Sequence, residues 1–222
     1  KMAITSMDGL VNALANNVQI FPISKASVTG TTGNSTSLWR SAGNPSLGAI
    51  PAAAAVCDES LLGALPYTLP SVGERTHVGR IALVASTSGL DVILMDRLAH
   101  MGGLSGTVTT AQTVNVDVSG ASSNLADRIG QADFSEVEWW MEWYTATGAT
   151  AATATVTYTN QANVSGRTTT VALAATRPAG NMLPIQPNAT DTAIRSVQSV
   201  TLSVSTATAG SFGVTATRAI TS

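Results

Sequence analysis

Two histidines (His77 and His100), one cysteine (Cys57) and 13 acidic side chains are what this 222-residue chain offers for catalysis or metal binding. Neither histidine has a second His or Cys at ligand spacing, which a zinc site needs. No acidic cluster follows the D-x-[DN]-x-[DN]-G spacing of a calcium loop. Asp58 with Glu59, Asp91 with Asp96, and Asp127 with Asp133 therefore read as surface carboxylates. Glu138 and Glu142 stand four apart on one strand, roughly 13 Å if fully extended. A glycosidase pair needs about 5–9.5 Å, so the two read as a polar outer face flanking Trp140. Gly102-Gly103-Leu104-Ser105-Gly106 lacks the following lysine and the strand–loop–helix setting of a phosphate cradle, and reads as a structural loop. The G-x-S-x-G elbow fails at Thr107. A Ser-His-Asp triad can be composed from any chain with 23 serines, so composition does not support one. Cys57 follows Ala52-Ala53-Ala54-Ala55-Val56 and reads as a small buried side chain. As the only cysteine it can form no intrachain disulfide. The chain reads as a non-enzyme, with no catalytic residue, no cofactor and no metal.

Composition narrows the partners. Charged residues make up 11% of the chain, against about 25% in ordinary globular proteins. No lysine follows Lys25 and the net charge is −2, so the basic stripe that nucleic acid requires is missing. No apolar run approaches the ~20 residues of a membrane span. The N-terminus lacks the pattern of a secretory signal. The sequons at Asn34, Asn163 and Asn188 read as chance matches in a Thr-rich chain. Ala, Thr, Ser and Gly supply about half of the residues. Strand surfaces must then be covered by Thr and Ser, whose shape suits a pleated sheet.

The elements that would position any site follow from periodicity. Val137, Trp139, Met141 and Trp143 alternate with Glu138, Trp140, Glu142 and Tyr144, a half-buried strand. Trp139 and Trp143 anchor its core face. Residues 1–75 form an extended N-terminal arm. It holds a short helix over Ser6–Asn16, with Met7, Leu10, Val11 and Leu14 on one side. Pro45, Pro51, Pro66 and Pro70 break regular structure, and Leu38, Trp39, Ile50 and Tyr67 are apolar anchors. Residues 76–222 read as about eight strands. Val78–Ala85 and Leu90–Leu98 make a hairpin around Ser86-Thr87-Ser88-Gly89. Thr113–Val118, Thr153–Thr159, Thr168–Ala174 and Phe212–Arg218 alternate cleanly. Residues 176–191 form a long loop. A phase change between Val197 and Val200 predicts a β-bulge near Gln198. The expected fold is all-β: an antiparallel sandwich of jelly-roll type.

Trp140 and Tyr144, on the face away from the core, mark an interface with the arm or with another chain. Trp39 marks the arm's contribution. A sugar-binding platform is the competing use of Trp140 and Tyr144. The segments Ser37–Arg40, Asp96–Val114 and Glu142–Gly148 resemble ones in a group of tailed-bacteriophage virion structural proteins. Together they span about a sixth of the chain. The resemblance implies a particle component without a catalytic site, most similar to a capsid cement or decoration protein. Neck, collar and tail components are the alternatives. It also implies residence in the virion after synthesis in the host bacterial cytoplasm. The partners it implies are the major capsid protein or other virion proteins, and further copies of the chain as a trimer or dimer. No direct contact with nucleic acid or membrane is expected.

Overall fold

The protein is represented by a computed structural model. It describes residues 4–16, 18–68, 78–84, 91–120, 125–207 and 210–221. His77 lies outside them. The chain is mostly β. Helix α1 spans Met7–Asn16. Four two-residue strands follow: β1 (Ser24–Lys25), β2 (Ser35–Thr36), β3 (Gly43–Asn44) and β4 (Ala55–Val56). Eight longer elements carry the body: β5 (Leu94–Ser105), β6 (Gln112–Asp117), β7 (Glu138–Trp143), β8 (Ala152–Asn160), β9 (Arg167–Leu173), β10 (Asn181–Pro184), β11 (Ile194–Leu202) and β12 (Ser211–Thr221). A one-turn helix, α2 (Leu125–Arg128), sits between β6 and β7.

The strands form two main antiparallel sheets. One runs β2-β10-β7-β12-β5-β4 and the other β6-β11-β8-β9. A single apolar cluster joins their inner faces. Trp139, Met141 and Trp143 of β7 enter it from the first sheet; Val114 and Val116 of β6 and Ala154, Val156 and Tyr158 of β8 enter from the second. Each alternates with outward residues, because successive strand side chains point to opposite faces. The Trp143 and Phe212 rings lie 4.6 Å apart. Trp139 Nε1 reaches across the core and donates to the Ile194 carbonyl at 2.9 Å. The pairing of β11 with both neighbours shifts between Val197 and Ser199, which places the expected bulge at Gln198.

Three local expectations are corrected. Residues 78–84 carry no strand and do not pair with β5; residues 85–90 lie outside the described residues. The partners of β5 are β12, the last strand, and β4. Met101–Ser105 belongs to β5 rather than to a loop. Its glycines form a bulge: Leu104 pairs with Phe212 and Met101 with Val214, so Gly102 and Gly103 oppose Gly213 alone. Gly103 sits at φ +78°, which glycine adopts without strain. Finally, the proline-rich 176–191 stretch holds β10, whose Met182 and Leu183 pair with Glu142 and Met141 of β7.

The N-terminal strands close the first sheet on both sides. β2 adds to the β10 edge and β4 to the β5 edge. The chain between them, residues 37–54, therefore crosses the sheet's outer face as a strap. Backbone bonds fasten its far end, from Gly102 N to the Pro51 carbonyl (2.7 Å) and from Cys57 N to the Leu98 carbonyl (2.9 Å). Lys25 Nζ gathers the strap's own turn by donating to the carbonyls of Ser41, Pro45 and Ser46.

Candidate functional site

Beneath the strap lies a connected group of polar side chains, Arg97, His100, Glu142 and Thr215, with Tyr144 beside them. The outer face of β7 supplies Glu142, β12 supplies Thr215 and β5 supplies Arg97 and His100. Arg97 and His100 are three apart, a spacing that puts side chains on opposite faces of a regular strand. A second bulge resolves this. Ala99 pairs with Ala216 and Arg97 with Thr217, so Leu98 is an extra residue and both polar side chains face outward.

The geometry is that of a buried, hydrogen-bonded ion pair. Arg97 Nη2 donates to both Glu142 carboxylate oxygens, at 2.9 and 2.8 Å. Its Nη1 donates to Thr215 Oγ1 at 3.0 Å and to His100 Nδ1 at 3.1 Å. Thr215 Oγ1 donates to Glu142 Oε2 at 2.9 Å. Ser37, from the strap, also hydrogen-bonds the carboxylate. The Trp39 indole lies over the Arg97 guanidinium, 4.4 Å from ring centroid to Cζ, in cation–π contact. It meets His100 edge-on at 5.8 Å. Trp39 Nε1 is fixed by the Ala49 carbonyl at 2.8 Å. The Glu142 and Arg97 side chains are 1% and 12% exposed.

Protonation follows from these contacts. Burial opposes ionisation of Glu142, but the Arg97 charge and the hydrogen bonds from Ser37, Arg97 and Thr215 outweigh it and hold its carboxyl below the usual range. His100 is pushed down to about 4 by burial and by Arg97, with Glu142 opposing weakly. Its Nδ1 accepts from Arg97, which can only donate. The ring is therefore neutral with its proton on Nε2. Burial and the Glu142 charge raise the Tyr144 phenol. Cys57 is buried and pushed up to about 12, chiefly by burial. An arginine-paired carboxylate, a neutral histidine under an indole and an un-ionised thiol make a clamp. They do not make a nucleophile–base pair.

The residues singled out from the sequence have different fates. Trp39 lies on the outer face of its own sheet, where it covers Arg97. Tyr144 is buried against Gly102 and Gly213, so its ring offers no platform to a partner. Glu142 corrects the expectation of a polar outer face, since it is sealed under the strap. Trp140 stays half-exposed, with its Nε1 donating to Thr217 Oγ1 at 2.9 Å. Beside it, exposed Glu138 and Gln186 line a concavity of about 300 Å³ with Pro184, Pro187 and Thr192. Arg97, His100 and Thr215 were not identifiable as a group. The one available signal was a pair of polar residues, Arg97 and His100, inside an apolar run.

Three further ion pairs fasten the frame. Arg128 binds Asp96 (2.6 Å) and donates to the carbonyls of Cys57 and Arg97, tying α2 to β5 and the strap's end. Arg218 binds Glu136 (2.5 Å). Asp191 accepts from Tyr158, Asn160 and Arg167, which hold it down to about 2. Among the described residues no three His, Cys, Asp or Glu side chains converge as a metal site. No described helix is long and apolar enough to cross a membrane. Comparison with protein-family models, with curated proteins and with solved structures gives no match to this chain.

Proposed function

We propose that this chain is a non-enzymatic structural component of a bacteriophage particle, a capsid cement or decoration protein that stabilises the head lattice. Its partners are the major capsid protein or other virion proteins, and copies of itself in a dimer or trimer. In this reading the fold is a jelly-roll sandwich with an N-terminal arm. The strand order carries it. Counting β5 to β12 as first to eighth, one set of four runs sixth-third-eighth-first and the other second-seventh-fourth-fifth. That wiring is what two interlocked Greek keys produce in the jelly rolls of viral capsids and lectins. Two further observations support a structural role. The buried charges are spent on ion pairs that fix the strap and frame. The low charge of the chain suits surfaces covered by neighbours in an assembly.

The concavity beside Trp140 favours a second reading, a receptor- or carbohydrate-binding tail module. There an indole wall would take a sugar face while Glu138 and Gln186 take hydroxyls. Neck and collar positions fit the same fold. Quantitative mass spectrometry and cryo-electron microscopy of purified particles test the proposal. Hundreds of copies on the head lattice support the cement role, and one small ring places the chain in neck or tail. Absence from the particle refutes both. Glycan-array binding that is lost in Trp140→Ala would replace the cement role with the binding role.

A further inference from the structure

The N-terminal helix shows its apolar side to solvent. Ser6 Oγ caps α1 by accepting from Gly9 N at 3.1 Å. Met7, Leu10, Val11 and Leu14 follow the i, i+3, i+4, i+7 spacing of a packing stripe. All four are exposed, from 39% at Leu10 to 73% at Met7, and α1 contributes no buried residue. An isolated ten-residue helix is marginal in water. A helix of this length with its apolar stripe uncovered is half of a contact.

The stripe does not stand alone. Leu14 Cδ2 lies against Gly79, 3.5 Å from where a Cβ would be. That brings residues 78–84 alongside. Val78, Ile81, Leu83 and Val84 in this run are also about half exposed or more. The sequence reads Val78–Ala85 as a strand, yet 78–84 pairs with no strand among the described residues.

We propose that the apolar stripe of α1, joined by residues 78–84, pairs with the same surface on a second copy of this chain. Size and charge favour that occupant. Full burial of one such side chain covers on the order of 60–120 Å². Eight of them at their observed exposure offer roughly 300–600 Å² per copy, as large as the largest patch on a typical monomer. With the polar third or more of an ordinary interface added, each copy approaches the ~800 Å² per partner of a standard complex. Charge excludes a polyanion. The described residues of the surface carry Asp8 and Arg80 alone, one of each sign, so nothing there attracts nucleic acid or anionic lipid. A neutral surface that is its own complement closes as a two-fold dimer without a second patch elsewhere.

This inference rests on the homo-oligomer part of the proposed function and not on the particle role, so each can fail alone. The test is sedimentation velocity of the full chain across the micromolar range, with Leu10→Asp and Ile81→Asp as variants. The expected result is a concentration-dependent dimer, weakened about tenfold or more by either substitution. Thermal unfolding measured at concentrations where the wild type is monomeric should be unchanged, because neither residue is buried. Particle incorporation is scored separately by mass spectrometry. A wild-type chain that stays monomeric up to ~100 µM overturns the inference, as does a dimer that both variants leave intact. Binding of the monomer to phosphatidylcholine vesicles through α1 would overturn it in favour of a lipid surface.

Discussion

Converting Glu142 to glutamine should be among the most damaging single-atom changes available in this protein. The substitution keeps the side chain's shape but removes its charge. It leaves the Arg97 guanidinium 12% exposed with only Thr215, His100 and an amide oxygen as acceptors. Removing one partner of a buried ion pair costs about 3–5 kcal/mol, since the remaining charge is desolvated and unpaired. For a chain of this size 1 kcal/mol shifts Tm by about 2–4 °C, so a fall of roughly 6–20 °C is expected. Arg97→Met should cost as much for the mirror-image reason. The double variant Arg97→Met/Glu142→Met should recover most of the loss, because apolar replacement of a whole buried pair is often neutral. Recovery should be incomplete, since Thr215 and the His100 Nδ1 lose partners too. Urea unfolding of the wild type, Arg97→Met, Glu142→Met and the double variant closes the double-mutant cycle, with a coupling of at least ~2 kcal/mol expected. A Glu142→Gln loss below 1 kcal/mol, or additive single effects, would refute the claim that this pair is desolvated by the strap.

Further expectations concern the same outer face. The His100 value is lower folded (about 4) than unfolded (6.5), so the unfolded chain binds more protons between those limits. Stability should therefore fall as pH drops from about 6.5 to about 4, by about 3 kcal/mol from this group; Tm against pH checks it, and His100→Gln should flatten that window. A Cβ on Gly48 would overlap the Trp39 indole. Gly48→Ala should displace the indole at a cost of about 1–3 kcal/mol, seen as a change in tryptophan fluorescence and faster proteolysis of residues 37–54. Cys57, buried and pushed up to about 12, should resist aromatic disulfide reagents in the native state and react fully in denaturant, which a thiol titration reads directly.

Much of the core was written in local periodicity. The β7 alternation placed Trp139, Met141 and Trp143 inward, the valines of β6 did the same, and the phase change around Gln198 located a bulge. Such signals are legible because a strand repeats every two residues and each core face faces one way. The outer face of β7 was not legible in the same terms. Glu142 looks solvated because its partner Arg97 is 45 residues away and its cover, the strap, about 100. The glycines at 102 and 103 carry turn chemistry, yet serve a bulge opposite Gly213. Leu90–Leu98 looks like half of a local hairpin, while β5 pairs with the last strand of the chain.

The sequence by itself determined an antiparallel β protein with a Trp139–Trp143 core, a short amphipathic α1, and few groups able to do chemistry. Only the tertiary structure decided which polar residues are buried, that Tyr144 is sealed while Trp140 stays half-open, and that residues 37–54 strap the first sheet from edge to edge. The physical reason is range. Side-chain alternation is fixed by the strand's own backbone. Burial of a charge depends on which distant segment covers it and on whether that segment brings a partner.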